Sequence, residues 1–202
     1  MKMVGETRRP YRMGARSESA AATGEAILDA VTEIFWEQPS DQIRLEEVAA
    51  RSGVTVQTVI RRFGNKEKLF AAAAGRQSEK VREARAHVTP GDVAGAVANL
   101  MDHYELMGSR VLRMLAEEER LPAIKGLADE GRLFHRQWCE QAFAPFLPGR
   151  RGSVRTRRTA QLVTICDVYT WKLLRLDSGL SRSQTEQALL EMLAPFTMNA
   201  PS

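Results

Sequence analysis

Positions 55 to 62 of the chain read Thr-Val-Gln-Thr-Val-Ile-Arg-Arg. If they lie on a helix whose apolar side carries Val59 and Phe63, then Val56, Gln57, Thr58, Arg61 and Arg62 face outward. Such side chains suit a major groove. Gln can bond adenine edges bidentately, Arg guanine edges, and Thr or Val can touch a thymine methyl. Lys66 and Lys68 follow at the start of the next helix, where an N-terminus already favours a phosphate oxygen. The implied chemistry is recognition of duplex DNA, and an ordinary pair of surface helices stands as the competing reading.

The elements that must hold these groups are legible nearby. Leu45, Val48 and Ala49 share one face of a short helix, and Gly53 tolerates the left-handed conformation needed just past its end. Thr55 then caps the second helix, its hydroxyl accepting from an early orphan amide. Together they form a helix-turn-helix. Ahead of it, Ile27, Val31, Ile34 and Phe35 are spaced for an amphipathic helix from about Ser19 to Gln38, which Pro39 stops. Behind it, a helix over residues 66–86 turns Leu69, Phe70 and Ala73 back toward the reader and continues with a polar half.

Over residues 23–70 the sequence resembles the N-terminal domain of the TetR family of one-component repressors. The matching positions are Ala26-Ile27-Leu28-Asp29-Ala30, Phe35, Leu45-Glu46-Glu47-Val48-Ala49, Gly53-Val54-Thr55, Thr58-Val59, Arg61-Arg62-Phe63, Lys66-Glu67 and Leu69. The resemblance implies an all-α fold of about nine helices. It comprises an N-terminal three-helix helix-turn-helix domain plus a C-terminal helical bundle, forming a homodimer through the last two helices on a near-palindromic double-stranded DNA operator. The DNA-contacting set expected from this reading is Thr23, Arg44, Thr55, Val56, Gln57, Thr58, Arg61, Arg62 and Lys66.

The chain also departs from the family pattern. Ile60 stands where the family usually has a phosphate-bonding tyrosine, Pro39 where it has glycine, and Ile43-Arg44 where it has Thr-Thr or Thr-Ser. The last change removes a hydroxyl cap, and Arg44 either reaches a phosphate itself or sits in solvent. Gly24 replaces a common arginine, leaving phosphate contact there to Thr23 or to the arm before it.

With 202 residues, 44% hydrophobic and 27% charged, the composition is that of a globular protein. A formal net charge of +4 is too small to identify a polyanion partner. Its location says more, because Arg44, Arg61, Arg62, Lys66 and Lys68 gather on the presumed DNA face. Cys139 and Cys166 lie within apolar helical patterns without ligand-like spacing, so they read as core thiols and no metal or other cofactor is expected. No apolar leader or bilayer-length segment is present, which predicts a cytoplasmic protein with no membrane partner. Gly-rich phosphate loops, HExxH and GxSxG are all missing, and an enzyme is not expected.

The spacing divides the chain into a basic flexible arm (1–18), a helix-turn-helix domain (19–65), a connecting helix (66–86) and a C-terminal effector-binding and dimerisation domain (87–202). Thr89-Pro90 predicts a helix over residues 91–107 that Gly108-Ser109 breaks, and Pro122 opens another to about Phe146. A basic loop over residues 149–158 holds Arg150, Arg151, Arg155, Arg157 and Arg158; it is a second anion site or simply a solvated run. Residues 159–176 form a helix with two apolar sides, and Ser181 with Gln184 makes a capping box for the last helix. The dimer contacts expected there are Leu162, Cys166, Tyr169, Leu173, Leu189, Met192 and Phe196. Within the bundle, Met101, Tyr104, Met107, Met114, Phe134, Trp138 and Trp171 line a pocket for a small apolar or aromatic effector, or else are plain core. His103 and His135 either bond a polar ligand group or serve as ordinary polar residues. The function expected is a sequence-specific regulator, a repressor released by a ligand; the alternative is an architectural or partner-controlled DNA-binding regulator without an effector.

Overall fold

A computed structural model describes residues 11–149 and 151–198, and all regular structure among them is helical. Two compact units divide the chain between Ala73 and Ala74. In the first, α1 (Tyr11–Glu37) precedes α2 (Leu45–Arg51) and α3 (Val56–Phe63), and the opening residues of α4 (Lys66–Arg85) complete it. Helix α1 starts at Tyr11, eight positions before the expected Ser19, so the predicted arm is helical in its second part; residues 1–10 lie outside the described residues. Ile27, Val31, Ile34 and Phe35 of α1 are buried with Val48, Val59, Leu69 and Phe70, and the Phe35 and Phe70 rings meet edge to face. One stripe per helix is what an amphipathic spacing delivers.

The turn between α2 and α3 is a Schellman motif. Val54 N–H donates to Ala49 O (3.0 Å) and Gly53 N–H to Ala50 O (3.3 Å), with Gly53 at φ +67°. Thr55 caps α3, accepting from Thr58 N–H at 3.2 Å. Outside this corner, Arg51 bonds Glu37 and Glu47 while Gln38 donates to Glu47 (2.6 Å), tying the end of α1 to α2. The Arg51 hydrogen bond holds the Glu37 carboxyl below its usual range.

The second unit holds the rest of α4 and then α5 (Val93–Ala116), α6 (Pro122–Ala142), α7 (Ser153–Ile165), α8 (Val168–Trp171) and α9 (Arg182–Thr197). A 3-10 turn over Ala144–Phe146 follows α6, and α8 runs on as a π-helix over Lys172–Asp177. Leu100, Met101, Phe143, Leu162, Leu189 and Leu193 form the centre of its core. The capping box of α9 is formed as expected, Ser181 and Gln184 each bonding the other's backbone.

Four boundaries differ from the sequence reading. Thr89-Pro90 does not cap α5: those residues make a turn, and Asp92 is the cap, its carboxylate accepting from Gly95 N–H at 2.9 Å. Gly108 does not break α5, which passes through it unbroken. A Cβ at Gly108 would lie 2.5 Å from the Trp171 ring, so the glycine is there to admit an indole. The basic run is largely helical rather than a loop, since α7 begins at Ser153 and carries Arg155, Arg157 and Arg158; Arg150 lies outside the described residues. Finally, the single helix expected over residues 159–176 is interrupted at Cys166-Asp167, where the Asp167 carboxylate caps α8 by accepting from Tyr169 N–H (2.9 Å). Tyr104 Oη donates to the Cys166 carbonyl at 2.9 Å, satisfying an oxygen left over at the end of α7.

Candidate nucleic-acid interface

Helix α3 buries Val59 completely, keeps Phe63 half-buried and sends its polar positions toward solvent. Gln57, Arg61 and Arg62 are exposed, and Val56 and Thr58 are half-exposed. The Gln57 amide and the Arg61 guanidinium make no hydrogen bond among the described residues, which leaves their donors and acceptors available. The Thr58 hydroxyl shares a 3.0 Å hydrogen bond with Thr55 Oγ1, so it is partly committed to the cap. Ile60 is 41% exposed, an apolar side chain held in solvent on the same short helix.

Arg62 does not simply project. Its guanidinium lies against Gly24 of α1, where a Cβ would come within 2.4 Å of Nε and Nη2. The glycine that departs from the family pattern therefore makes room for this arginine. Thr23 beside it donates its hydroxyl proton to Ser19 O within α1 (2.8 Å), so its oxygen is presented as an acceptor. At the start of α2, Arg44 occupies the N-cap position with extended backbone and no side-chain cap bond, its side chain exposed. Lys66 opens α4 with Nζ 5.7 Å from the Phe70 ring, and the real cap of that helix is Asn65, whose Oδ1 accepts from Lys68 N–H at 2.9 Å. Sequence reasoning missed Asn65, although an asparagine before Lys-Glu is a standard start signal.

In the second unit, the residues expected to line a pocket fall in two groups. Met101, Tyr104, Met107, Trp138 and Trp171 are buried, with Tyr104 and Trp171 rings 5.8 Å apart; Met114 and Phe134 are half-buried. The indole nitrogens of Trp138 and Trp171 are buried without a partner. The expected dimer contacts also separate. Leu162, Cys166 and Leu189 belong to the core of their own unit, which corrects their assignment to a partner surface. Tyr169, Leu173 and Met192 are exposed, joined by Leu176, while Phe196 is half-buried under the Arg158 guanidinium. Both cysteines are free, buried thiols as expected.

A group that the sequence reading passed over is Arg85, the last residue of α4, which is buried. His103 is near enough to be affected: burial, then the charge of Arg85, push its pKa down to about 3. An unfolded chain binds this proton near 6.5, so between pH 6.5 and 3 the unfolded state holds the extra proton. Stability is then complete above pH 6.5 and declines on acidification, with a slope from this group of at most ~1.4 kcal/mol per pH unit. His103→Gln is expected to flatten that decline in urea titrations run at stepped pH. Equal slopes in the two proteins would remove His103 as its source.

Residues 27–73 match the family model described as bacterial regulatory proteins, tetR family. No curated protein matches the sequence. Among solved structures, a transcriptional regulator from Rhodococcus sp. RHA1 superposes with a TM-score of 0.65 at 19% identity, covering 91% of this chain and 98% of that one. A transcriptional regulator from Pseudomonas aeruginosa PAO1 gives 0.61 at 15% identity over 92% and 93%. One described as a TetR-family transcriptional regulator, from Mesorhizobium loti, gives 0.59 at 16% over 87% and 97%. At these identities the likeness is one of fold.

Proposed function

We propose that the chain, whose residues 27–73 match the tetR family of bacterial regulatory proteins, is a DNA-binding transcriptional regulator of that family and acts as a repressor released from a palindromic operator by a small molecule. The observation that carries the DNA half of this reading is α3, capped by Thr55, anchored by Val59, and presenting Gln57 and Arg61 with unused hydrogen-bonding groups. In this reading Val56, Gln57, Thr58 and Arg61 face base edges, while Arg44, Thr55, Arg62, Lys66 and the Thr23 region lie along phosphates. Ile60 contributes apolar contact and no phosphate bond.

The exposed apolar side chains Tyr169, Leu173, Leu176 and Met192 support a homodimer through α8, the π-helical segment and α9. A two-fold dimer presents two copies of α3 to successive major grooves, so a symmetric site is read twice. Ligand responsiveness rests on the second unit's aromatic core, where two indole N–H groups are buried without acceptors.

Selection of bound fragments from genomic DNA tests the reading, followed by release assays with fractionated cell extract. A short palindrome as the preferred site and loss of binding in one fraction are the expected results. Gln57→Ala should weaken that operator by roughly 1–3 kcal/mol and leave nonspecific duplex binding nearly unchanged. Equal loss on both duplexes would take Gln57 out of base readout.

A further inference from the structure

Arg85 is buried, and no Asp or Glu of the described residues pairs with it. Its guanidinium lies over the Trp138 ring at 4.4 Å and the Phe134 ring at 5.6 Å, and Nη2 donates to His135 Nδ1 at 3.2 Å. A guanidinium has only donors, so Nδ1 is the acceptor and the imidazole carries its proton on Nε2, directed at Val163 O (3.3 Å). Arg85 Nε and Trp138 Nε1 have no acceptor. Two aromatic faces and a neutral imidazole soften the burial of a cation, but they do not neutralise it.

The neighbouring titratable groups do little to change the balance. Burial pushes Tyr104 far up and keeps its hydroxyl neutral, and the Cys139 hydrogen bond with burial does the same for the Cys166 thiol. His103 stays neutral through the same burial. Cys139, drawn down to about 5 by its hydrogen bonds to Cys166 and His135, is the neighbour that can furnish an anion; it acts on the Arg85 charge through space, with no hydrogen bond to the guanidinium. The site therefore offers a buried guanidinium that no carboxylate pairs, two orphaned N–H donors and an aromatic wall, all within one unit.

We propose that Arg85 is the anion receptor of the effector site, and that the effector is an apolar monocarboxylate whose two oxygens take the free edge of the guanidinium. A monoanion neutralises the single buried charge, whereas a phosphate dianion would leave an unpaired negative charge in the same apolar surroundings. The Trp138 and Phe134 rings, with Tyr104 and Met101 of α5 in the adjoining core, suit an aromatic or acyl body. The chain leaves helical structure immediately after Arg85 and re-enters it at Val93, so the receptor stands next to a connection rather than in the middle of a helix. This inference rests on the ligand-released reading above and names the chemistry of that ligand.

Thermal unfolding of the full-length protein with phenylacetate, decanoate, their primary amides and phenyl phosphate provides the test. The two carboxylates are expected to raise Tm by roughly 5–10 °C at a hundredfold excess over Kd. The amides and the phosphate should not, and Arg85→Gln should abolish the response. Cys139→Ser, which cannot form a thiolate, should respond at least as strongly as wild type. Arg85→Met, removing an unmatched charge from an apolar site, should raise the Tm of the ligand-free protein. A fall in that Tm, a response to amides or phosphate equal to that to carboxylates, a response retained in Arg85→Gln, or no response to either carboxylate would each overturn the assignment. An extract fraction that releases wild type and Arg85→Gln from DNA equally would sink the Arg85 proposal and leave the repressor reading standing. If no fraction releases wild type, both fall.

Discussion

If the proposed dimer forms through this face, Leu173→Glu is expected to leave a monomer and to weaken operator binding by roughly 100-fold or more, because two linked half-site contacts become one. Leu173 is 59% exposed on the π-helical segment, with Tyr169, Leu176 and Met192 the other large apolar residues exposed on the same stretch and on α9. A soluble monomer has no reason to display four such side chains on neighbouring elements. In a two-fold interface each residue is used twice, so two carboxylates would be brought into one apolar contact and would have to be desolvated there. Light scattering reads the mass, and fluorescence anisotropy with a labelled operator reads the affinity. The same exchange at Leu133, exposed on α6, should leave both unchanged. A Leu173→Glu protein that stays dimeric with full affinity would place the interface elsewhere.

What the sequence discloses and what it hides follow from the range of the interactions. The α2 to α3 corner was readable because its devices are local: Gly53 at positive φ, the Thr55 hydroxyl on Thr58 N–H and Val59 turned inward all lie within a few positions. The Ser181-Gln184 box was readable for the same reason. Thr89-Pro90 misled because it mimics a helix start, while Asp92, three residues on, makes the better cap. The interruption at Cys166-Asp167 was hidden because apolar residues on both flanks continue the helical pattern across it. Leu162, Cys166 and Leu189 were assigned to a partner because periodicity reports that a residue is buried and not what buries it. Arg85 escaped notice among the charged residues of QSEKVREAR, since only α6, bringing Phe134, His135 and Trp138 from some fifty positions away, distinguishes it from its solvated neighbours. The Gly24 departure from the family pattern also gives Arg62 its space, which only the packing of α1 against α3 shows.

Gly108 shows the same long-range logic, and it carries the largest expected loss of stability from a single methyl group. Glycine inside a helix costs about 1 kcal/mol relative to alanine, so at an open site Gly108→Ala would stabilise α5. Here the added Cβ would sit 2.5, 2.7 and 2.9 Å from three carbons of the Trp171 six-membered ring. Trp171 is 3% exposed and packs against Tyr104, so the ring has no free volume into which it can swing. Overpacking of this kind costs roughly 1–3 kcal/mol, enough to cancel the helix-propensity gain and leave a net loss. Gly108→Ala is therefore expected to lower Tm by several degrees, whereas Gly75→Ala, where nothing lies within 4 Å of the added carbon, should raise it slightly. Trp171→Leu removes the ring, and in its presence the alanine at 108 should cease to be harmful, giving a coupling that a double-mutant cycle measures directly. Additive effects of the two changes would mean that α5 and α8 do not meet through this glycine. The coupling bears on function as well, because Trp171 immediately precedes the π-helical segment that carries Leu173. A displaced indole should then weaken dimerisation along with stability, a second readout that a purely local clash would leave untouched.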